Sequence, residues 1–454
     1  MNSSIIEKYN IPVPRYTSYP PANYFESYSG REYADAVKLS NTAENNHISF
    51  YLHIPFCRHL CHYCGCNSFP MARPEKVEEY VKALHKEIDL LIPLLDKNRL
   101  VSQIHYGGGS PTALPIPLIR ELNEHLLSGF RTIERPEIAI ECHPGYLNRE
   151  DWRELTRCGF NRYSIGVQDF NQAVLKTVNR RPSLLLMEEI FSLIRETGAR
   201  INLDLLYGLP GQTADSFSRT VSKAIGLSPD RLVTFSYAHV PWVNKRQLIL
   251  EKAGLPAGEE KSRIFTQAAS LLHDAGYCSI GMDHFVRPDD ELREALDNHR
   301  LHRNFQGYCT RRTTAQVYAF GVTGISQLDT AYAQNTKDIG RYIDSMNRNE
   351  FAVVKGYTLN REEQITREVI ESLMCNYRID WNELAGRLHL SADEVKGATA
   401  YDEDTLSGFA ADGLIEFDER QLAMTVSGSP FVRNVAASLD KLMLHSTRSF
   451  SKPI

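Results

Sequence analysis

Four of the nine cysteines in this 454-residue chain, Cys57, Cys61, Cys64 and Cys66, fall within ten positions. The other five, Cys142, Cys158, Cys278, Cys309 and Cys375, are scattered singly. One tight cluster in a long chain does not read as a secreted disulfide framework; it reads as a metal or redox site. The C-x3-C-x2-C spacing of Cys57, Cys61 and Cys64 puts three thiolates on one loop, enough to hold three irons of a [4Fe–4S] cluster. The fourth iron then stays open to a ligand from outside the protein, which a cluster needs if it is to do chemistry and not only carry electrons. Two alternatives stand beside this one. Zinc accepts Cys and His, and His53, His59 and His62 are close in sequence. A closed set including Cys66 would need a turn at Gly65, because side chains two apart on extended backbone point to opposite sides.

Such a loop must be held by a scaffold, and the flanking sequence supplies one. The cysteines follow a β-like run at 48–55, and further runs lie at 101–107, 137–142, 162–168, 201–207 and 232–239. A helix is expected from Pro74, a favoured first-turn position, with Val77, Val81, Leu84, Ile88 and Leu91 on one face. Gly159, Gly198 and Gly276 stand where helices must stop and the next run begins. Repeating βα units indicate a parallel sheet with covering helices. The unusual residues fall at or near the C-terminal ends of these runs: the cysteines, Gly107-Gly108-Gly109, Glu141, Gln168, Asp204 and Ala238-His239. A flat doubly wound sheet would use fewer strands at one switch point, so six contributing ends favour a barrel or partial barrel over residues 46–350.

Residues 1–45 are rich in Tyr and Pro without firm periodicity and read as an ordered arm. Residues 351–454 carry two helical segments, 361–377 and 381–388, then a hairpin with Ile415 and Phe417 facing Leu422, Met424 and Val426. That pattern suggests a small winged-helix-like domain. Its 11 basic against 16 acidic residues argue for packing or a lid and against DNA binding. Over the whole chain 51 Lys and Arg oppose 56 Asp and Glu, a net charge of -5 that argues against nucleic acid as a partner. With 42% hydrophobic and 24% charged residues the chain has globular proportions. No apolar run approaches the ~20 residues of a membrane span, and residues 1–9 do not resemble a signal peptide, so a cytoplasmic protein is expected.

The Cys57, Cys61, Cys64 spacing is the signature of the radical S-adenosylmethionine superfamily. The surrounding motifs resemble the oxygen-independent coproporphyrinogen III oxidase family more narrowly. They include Arg15-Tyr16-Thr17-Ser18-Tyr19-Pro20, Tyr51-Leu52-His53-Ile54-Pro55-Phe56, Gly107-Gly108-Gly109-Ser110-Pro111-Thr112 and Gly166-Val167-Gln168-Asp169-Phe170. Tyr207-Gly208-Leu209-Pro210, Gly281-Met282-Asp283-His284-Phe285 and Arg303-Asn304-Phe305-Gln306-Gly307-Tyr308 extend the resemblance along nearly the whole chain. It implies a partial (β/α)6, TIM-like barrel with an N-terminal arm and a small, mostly helical C-terminal domain. It also implies conversion of two propionates of coproporphyrinogen III to vinyl groups by a 5′-deoxyadenosyl radical. Haem-chaperone relatives typically have Phe at the position of Cys66 and lack the 303–308 run and the Tyr-rich arm, so these features favour the oxidase. Anaerobic haem-degrading relatives are the other alternative.

The resemblance assigns roles by position. Cys57, Cys61 and Cys64 would ligate the cluster, with Cys66 near it as a non-ligand. Tyr51, Tyr63, Gly108, Glu141 and Ile325 would contact a first S-adenosylmethionine. Gly109, Ser110, Gln168, Arg180, Asp204 and Ala238 would contact a second. Arg15, Arg287 and Arg303 are candidates to meet the substrate's four carboxylates, since arginine forks match carboxylate geometry. An electron donor such as flavodoxin or ferredoxin and a monomeric enzyme are also implied. One departure stands out: the family commonly has Asp-Pro after the third-strand glutamate, where this chain has His143-Pro144.

Overall fold

The computed structural model describes residues 3–242, 244–310, 316–444 and 446–451. Six strands, β1 (His47–Ile54), β2 (Leu100–Gly108), β3 (Arg131–Cys142), β4 (Arg162–Gln168), β5 (Arg200–Tyr207) and β6 (Arg231–Ser236), lie side by side in chain order and run parallel. The helix Pro74–Leu91 bridges the first pair, and all five residues expected on its apolar face are buried.

Period-two alternation divides each strand between two environments. Ile48, Phe50, Leu52 and Ile54 of β1, Ile138 and Ile140 of β3, and Ile201, Leu203 and Leu205 of β5 are buried in the main core. The intervening positions face inward and are mostly polar: Gln103 and His105, Glu137 and Glu141, Arg162 and Ser164, Asn202 and Asp204. Inward charges survive there because they are paired. Glu137 accepts from Arg162 Nε at 2.6 Å and from Gln103 at 2.7 Å, and Arg231 forms a two-pronged bridge to Asp290 at 2.9 Å. Burial pushes the Glu137 carboxyl up, but Arg162 and Arg231 outweigh it and hold it down to about 2. This ionic floor lies toward the N-terminal ends of the strands, beneath the mouth where the cysteine loop sits.

The sheet does not stop at six strands. A seventh parallel strand, β7 (Val317–Phe320), lies on the open side of β1, where Val317 pairs with Ser49. Antiparallel strands Ile325–Gln327, Ala331–Asn335, Val353–Thr358 and Glu26–Ser27 continue that edge. On the far side β6 pairs with His284–Val286, which pairs with Cys278–Ile280. The thirteen strands therefore form an open, partial barrel.

Two expected boundaries shift. Residue 350 is not the start of the C-terminal domain, because Val353–Thr358 belongs to the main sheet; the domain begins near the Asn360 cap of helix Arg361–Asn376. The first 45 residues are not one arm. Helix Gly30–Ser40, opened by a Ser29–Glu32 capping box, buries Tyr33 and Val37 in the barrel core. Tyr9, Tyr16 and Tyr19 instead pack into the core of the C-terminal domain. In that domain the first helix leads into strand Arg378–Asp380, three shorter helices follow, and the hairpin of Ile415–Phe417 and Gln421–Met424 completes a three-stranded sheet with Gln421–Met424 in the middle. Val426, expected on its hairpin, lies beyond the strand end and is exposed.

Candidate active site

A cavity of about 430 Å³ opens at the C-terminal ends of the parallel strands. Cys57, Cys61, Cys64 and Cys66 line it, with Tyr63, Gly108, Gly109, Ser110, Glu141, Gln168, Arg180 and Asp204. The structure thus brings most of the expected site residues to one place.

The glycine run shows why small residues are required. A Cβ on Gly107 would come within 2.7 Å of Glu141 Oε1, and one on Gly108, whose φ is +115°, within 2.8 Å of the His53 ring. A Cβ on Gly109 would lie 2.6 Å from the Pro55 carbonyl oxygen and 3.1 Å from Cys57 Sγ. Backbone pairing extends past the strand ends, since Gly109 N donates to Ile54 O and Ser110 N to Phe56 O. The run is therefore fastened directly to the segment leading into Cys57.

Around it a set of polar residues is fixed in place. His105 lies 3.0 Å from Glu141, and Tyr51 contacts His53, whose other ring nitrogen meets Asn67 O at 3.0 Å. Burial lowers the His53 pKa, which favours its neutral imidazole. Burial raises the Asp204 carboxyl to about 6, although Ser164 donates to it at 2.8 Å. A register shift between Gly166 and Gln168 gives Gln168 a left-handed φ of 69° at the rim. Arg180 donates to the Tyr63 hydroxyl at 3.0 Å, to Cys61 Sγ at 3.6 Å and to the Gly166 carbonyl.

Among the described residues no three His, Cys, Asp or Glu side chains converge on a single metal ion, but three cysteines lining one cavity suit a cluster, in which each thiolate binds its own iron. Burial, reinforced by Cys64 and Cys61, pushes the Cys57 thiol up to about 12. Bound metal removes that obstacle, because a coordinating thiol is held as thiolate. The Cys66 thiol hydrogen-bonds the Cys64 sulfur and draws it down to about 6. The glycine run, Glu141 and Asp204 offer close-approach backbone and acceptors suited to the amino and hydroxyl groups of S-adenosylmethionine.

Several expected residues do not themselves line the cavity. Tyr51 stands behind Gly107, beneath the cavity wall. Ile325 packs with Phe25, Tyr332 and Leu359. Ala238 does not end β6, which stops at Ser236; its carbonyl accepts from Gln247 Nε2 at 3.3 Å. Arg287 is at the wrong end of the sheet for the cavity: it follows the antiparallel strand His284–Val286, its backbone bonds Asp230 ahead of β6, and its side chain is exposed. Arg303 and Arg15 lie on the mouth side, with Arg303 beside the Tyr16–Tyr19 stretch. His143 occupies its departure from the family pattern as a neutral ring; burial, then Arg180, holds it down to about 2. Its Nδ1 accepts from Gly145 N, and its ring lies 4.4 Å from that of Tyr146.

Sequence reasoning missed the clamp on the cysteine loop. Buried Gln247 donates to both Tyr63 O and Ala238 O and accepts from Val240 N, and Asn244 donates to Cys64 O at 2.7 Å. On the other flank Tyr146 OH meets His59 Nδ1 at 2.7 Å. None of these residues stands in a recognisable motif; only Asn244, a helix-capping residue type, carried a local signal.

Residues 51–224 match the radical SAM superfamily model, and residues 359–431 match the HemN C-terminal domain. The oxygen-independent coproporphyrinogen III oxidase of Synechocystis is 36% identical, with 100% of this chain and 98% of the relative covered. That of Escherichia coli is 38% identical, with 99% and 98% covered. This chain belongs to the oxygen-independent coproporphyrinogen III oxidase family. The solved coproporphyrinogen III oxidase (HemN) of Escherichia coli, described as a radical SAM enzyme, superposes with a TM-score of 0.88 at 37% identity, covering 97% of this chain and 98% of that one. Family membership therefore extends across arm, barrel and C-terminal domain, and it decides between the cluster and the zinc reading of the cysteine loop. Among the described residues no helix is long and apolar enough to cross a membrane.

Proposed function

We propose that this chain converts two propionates of coproporphyrinogen III to vinyl groups without oxygen, giving protoporphyrinogen IX. The observation that carries the reading is the full-length match to relatives named for this activity, with the cysteine loop and glycine run meeting at one cavity. Each propionate loses one hydrogen atom, carbon dioxide and one electron. When bound, the cluster and S-adenosylmethionine supply the radical that takes the hydrogen.

The protein's share is holding and enclosing. Cys57, Cys61 and Cys64 hold the cluster, and Cys66 sits beside Cys64 as a non-ligand. Gly108 and Glu141 cradle a first S-adenosylmethionine, with Tyr51, Tyr63 and Ile325 shaping that side. Ser110, Gln168, Arg180, Asp204 and Ala238, with Gly109 between the two, serve a second. Two molecules per chain are supported by the spread of these residues along the rim from β2 past β6. Equilibrium binding to the reconstituted protein should give two sites, and one site would remove this part. The covering elements come from the same chain, which supports a monomer, and flavodoxin or ferredoxin is the class of electron donor.

Product analysis after anaerobic reconstitution tests the activity. Protoporphyrinogen IX from coproporphyrinogen III is the expected product. Haem binding without turnover, or haem ring opening, would replace this reading.

A further inference from the structure

Four cationic side chains meet where the N-terminal arm, the barrel mouth and the C-terminal domain join. Arg15 is on the arm, and its side chain is exposed. The backbone around it is pinned: Arg433 Nε donates to Pro14 O at 2.9 Å, and Tyr16 OH donates to Asp440 at 2.9 Å. Among the described residues Arg15 makes no hydrogen bond or ion pair. Arg303 projects from the strand Leu301–Asn304, with its guanidinium 5.1 Å from the Tyr308 ring centroid. Its Nε and Nη1 atoms are buried and have no hydrogen-bond partner among the described residues. Lys261 lies over Gly208 and donates to Tyr237 O at 2.8 Å.

These charges act on one another. Surrounding protein, then Arg303, lowers the Arg15 pKa; burial, then Arg15, lowers Lys261 and Arg433. Asp283 is the carboxylate that Arg15 and Arg303 share, and its Oδ1 is already held by His284 Nδ1 at 2.6 Å. Buried guanidinium nitrogens without partners, with like charges beside them, are unfavourable unless an anion joins them. Asn304, Gln306 and Tyr308, neighbours of Arg303 on the same hairpin, line the cavity that holds the cysteine loop.

We infer that Arg15 and Arg303, with Lys261 beside them, form a carboxylate anchor that grips a propionate of the tetrapyrrole and seats the arm over it. The inference rests on the reading of the substrate given above, and it adds Lys261 to two of the three candidate arginines while setting Arg287 aside. The unpartnered Nε and Nη1 atoms of Arg303 lie on different sides of its guanidinium, so each is available to donate its own charge-assisted bond to a carboxylate oxygen. The methionine carboxylate of S-adenosylmethionine carries the same chemistry, so the experiment must separate the two.

The probe is coproporphyrin III, the fluorescent, unreactive oxidised form with the same four carboxylates, titrated into anaerobically reconstituted holoenzyme. Arg15→Met and Arg303→Met should each weaken its binding about tenfold or more, the worth of one charge-assisted hydrogen bond. S-adenosylmethionine affinity and cluster absorbance should stay unchanged. Arg15→Lys should recover part of the loss, and the uncharged tetra-amide of the porphyrin should bind wild type and Arg15→Met alike. Arg15 is exposed, so its variants should fold even if Arg303→Met does not. Unchanged porphyrin binding by Arg15→Met, in a wild type that turns over coproporphyrinogen III, overturns the anchor and leaves the activity standing. Weaker S-adenosylmethionine binding with unchanged porphyrin binding also overturns it. A wild type that neither binds nor converts the tetrapyrrole removes the anchor and the functional reading together.

Discussion

Arg180 reaches the sulfur of Cys61 at 3.6 Å while the same nitrogen bonds the Tyr63 hydroxyl at 3.0 Å. An arginine assigned from its motif to the second cofactor thus also braces the cysteine loop. Arg180→Ala is expected to weaken both. Iron should be lost to a chelator about tenfold faster than from wild type or more, on the ~1.5–3 kcal/mol that a charged hydrogen bond contributes. Tyr63→Phe should shift iron retention in the same direction by less. Unchanged iron retention in Arg180→Ala would confine the residue to the cofactor.

Cys66→Ser should keep its iron and acid-labile sulfide after reconstitution, whereas Cys57→Ser should lose both. The Cys66 thiol is engaged with Cys64, and removing it should alter the reactivity of that sulfur without removing a ligand. Equal loss in the two variants would restore the closed four-cysteine arrangement.

Gly109→Ala places a methyl 2.6 Å from a backbone oxygen, which cannot swing aside as a side chain could. The strand end must move away from Cys57. S-adenosylmethionine binding measured by equilibrium dialysis should fall at least tenfold, an estimate of ~1.4 kcal/mol or more for such overpacking. Gly65→Ala, where an added Cβ meets nothing within 4 Å, is the tolerated control.

Glu87 gives a pH signature remote from the chemistry. It is buried on helix Pro74–Leu91 and accepts from Tyr342 OH at 2.6 Å, Gly321 N and Asn335 Nδ2. Burial still raises its carboxyl to about 7. Between its ordinary value of 4.5 and about 7 the folded protein binds the extra proton, so the contribution of Glu87 to stability is full below 4.5 and falls as pH rises through 7. Thermal unfolding of wild type and Glu87→Gln across that window should show the slope in wild type alone.

The parallel strands and the cysteine loop were legible because their signals are local: β-like runs, glycine stops and a three-cysteine spacing. The alternation that faces Glu137, Arg162 and Arg231 inward was not read, because charged residues inside a barrel become sensible only once their partners are known. Helix Gly30–Ser40 was hidden inside a stretch dominated by Tyr and Pro, although its Ser29–Glu32 capping box was available. Gln247 and Asn244 reach the cysteine loop from about 180 residues away. No short-range pattern encodes that contact. Arg287 was misplaced for a related reason: its motif ends in an antiparallel strand, so the chain has already turned back toward the floor of the barrel.

Substrate deuterated at the propionate β-carbons tests the central claim most directly. Hydrogen abstraction requires near-contact, roughly 3–3.5 Å between reacting atoms, so substrate must lie at the cavity that the cysteine loop lines. With coproporphyrinogen III carrying that label, 5′-deoxyadenosine formed alongside protoporphyrinogen IX should carry deuterium. Unlabelled 5′-deoxyadenosine accompanied by full vinyl production would contradict the account.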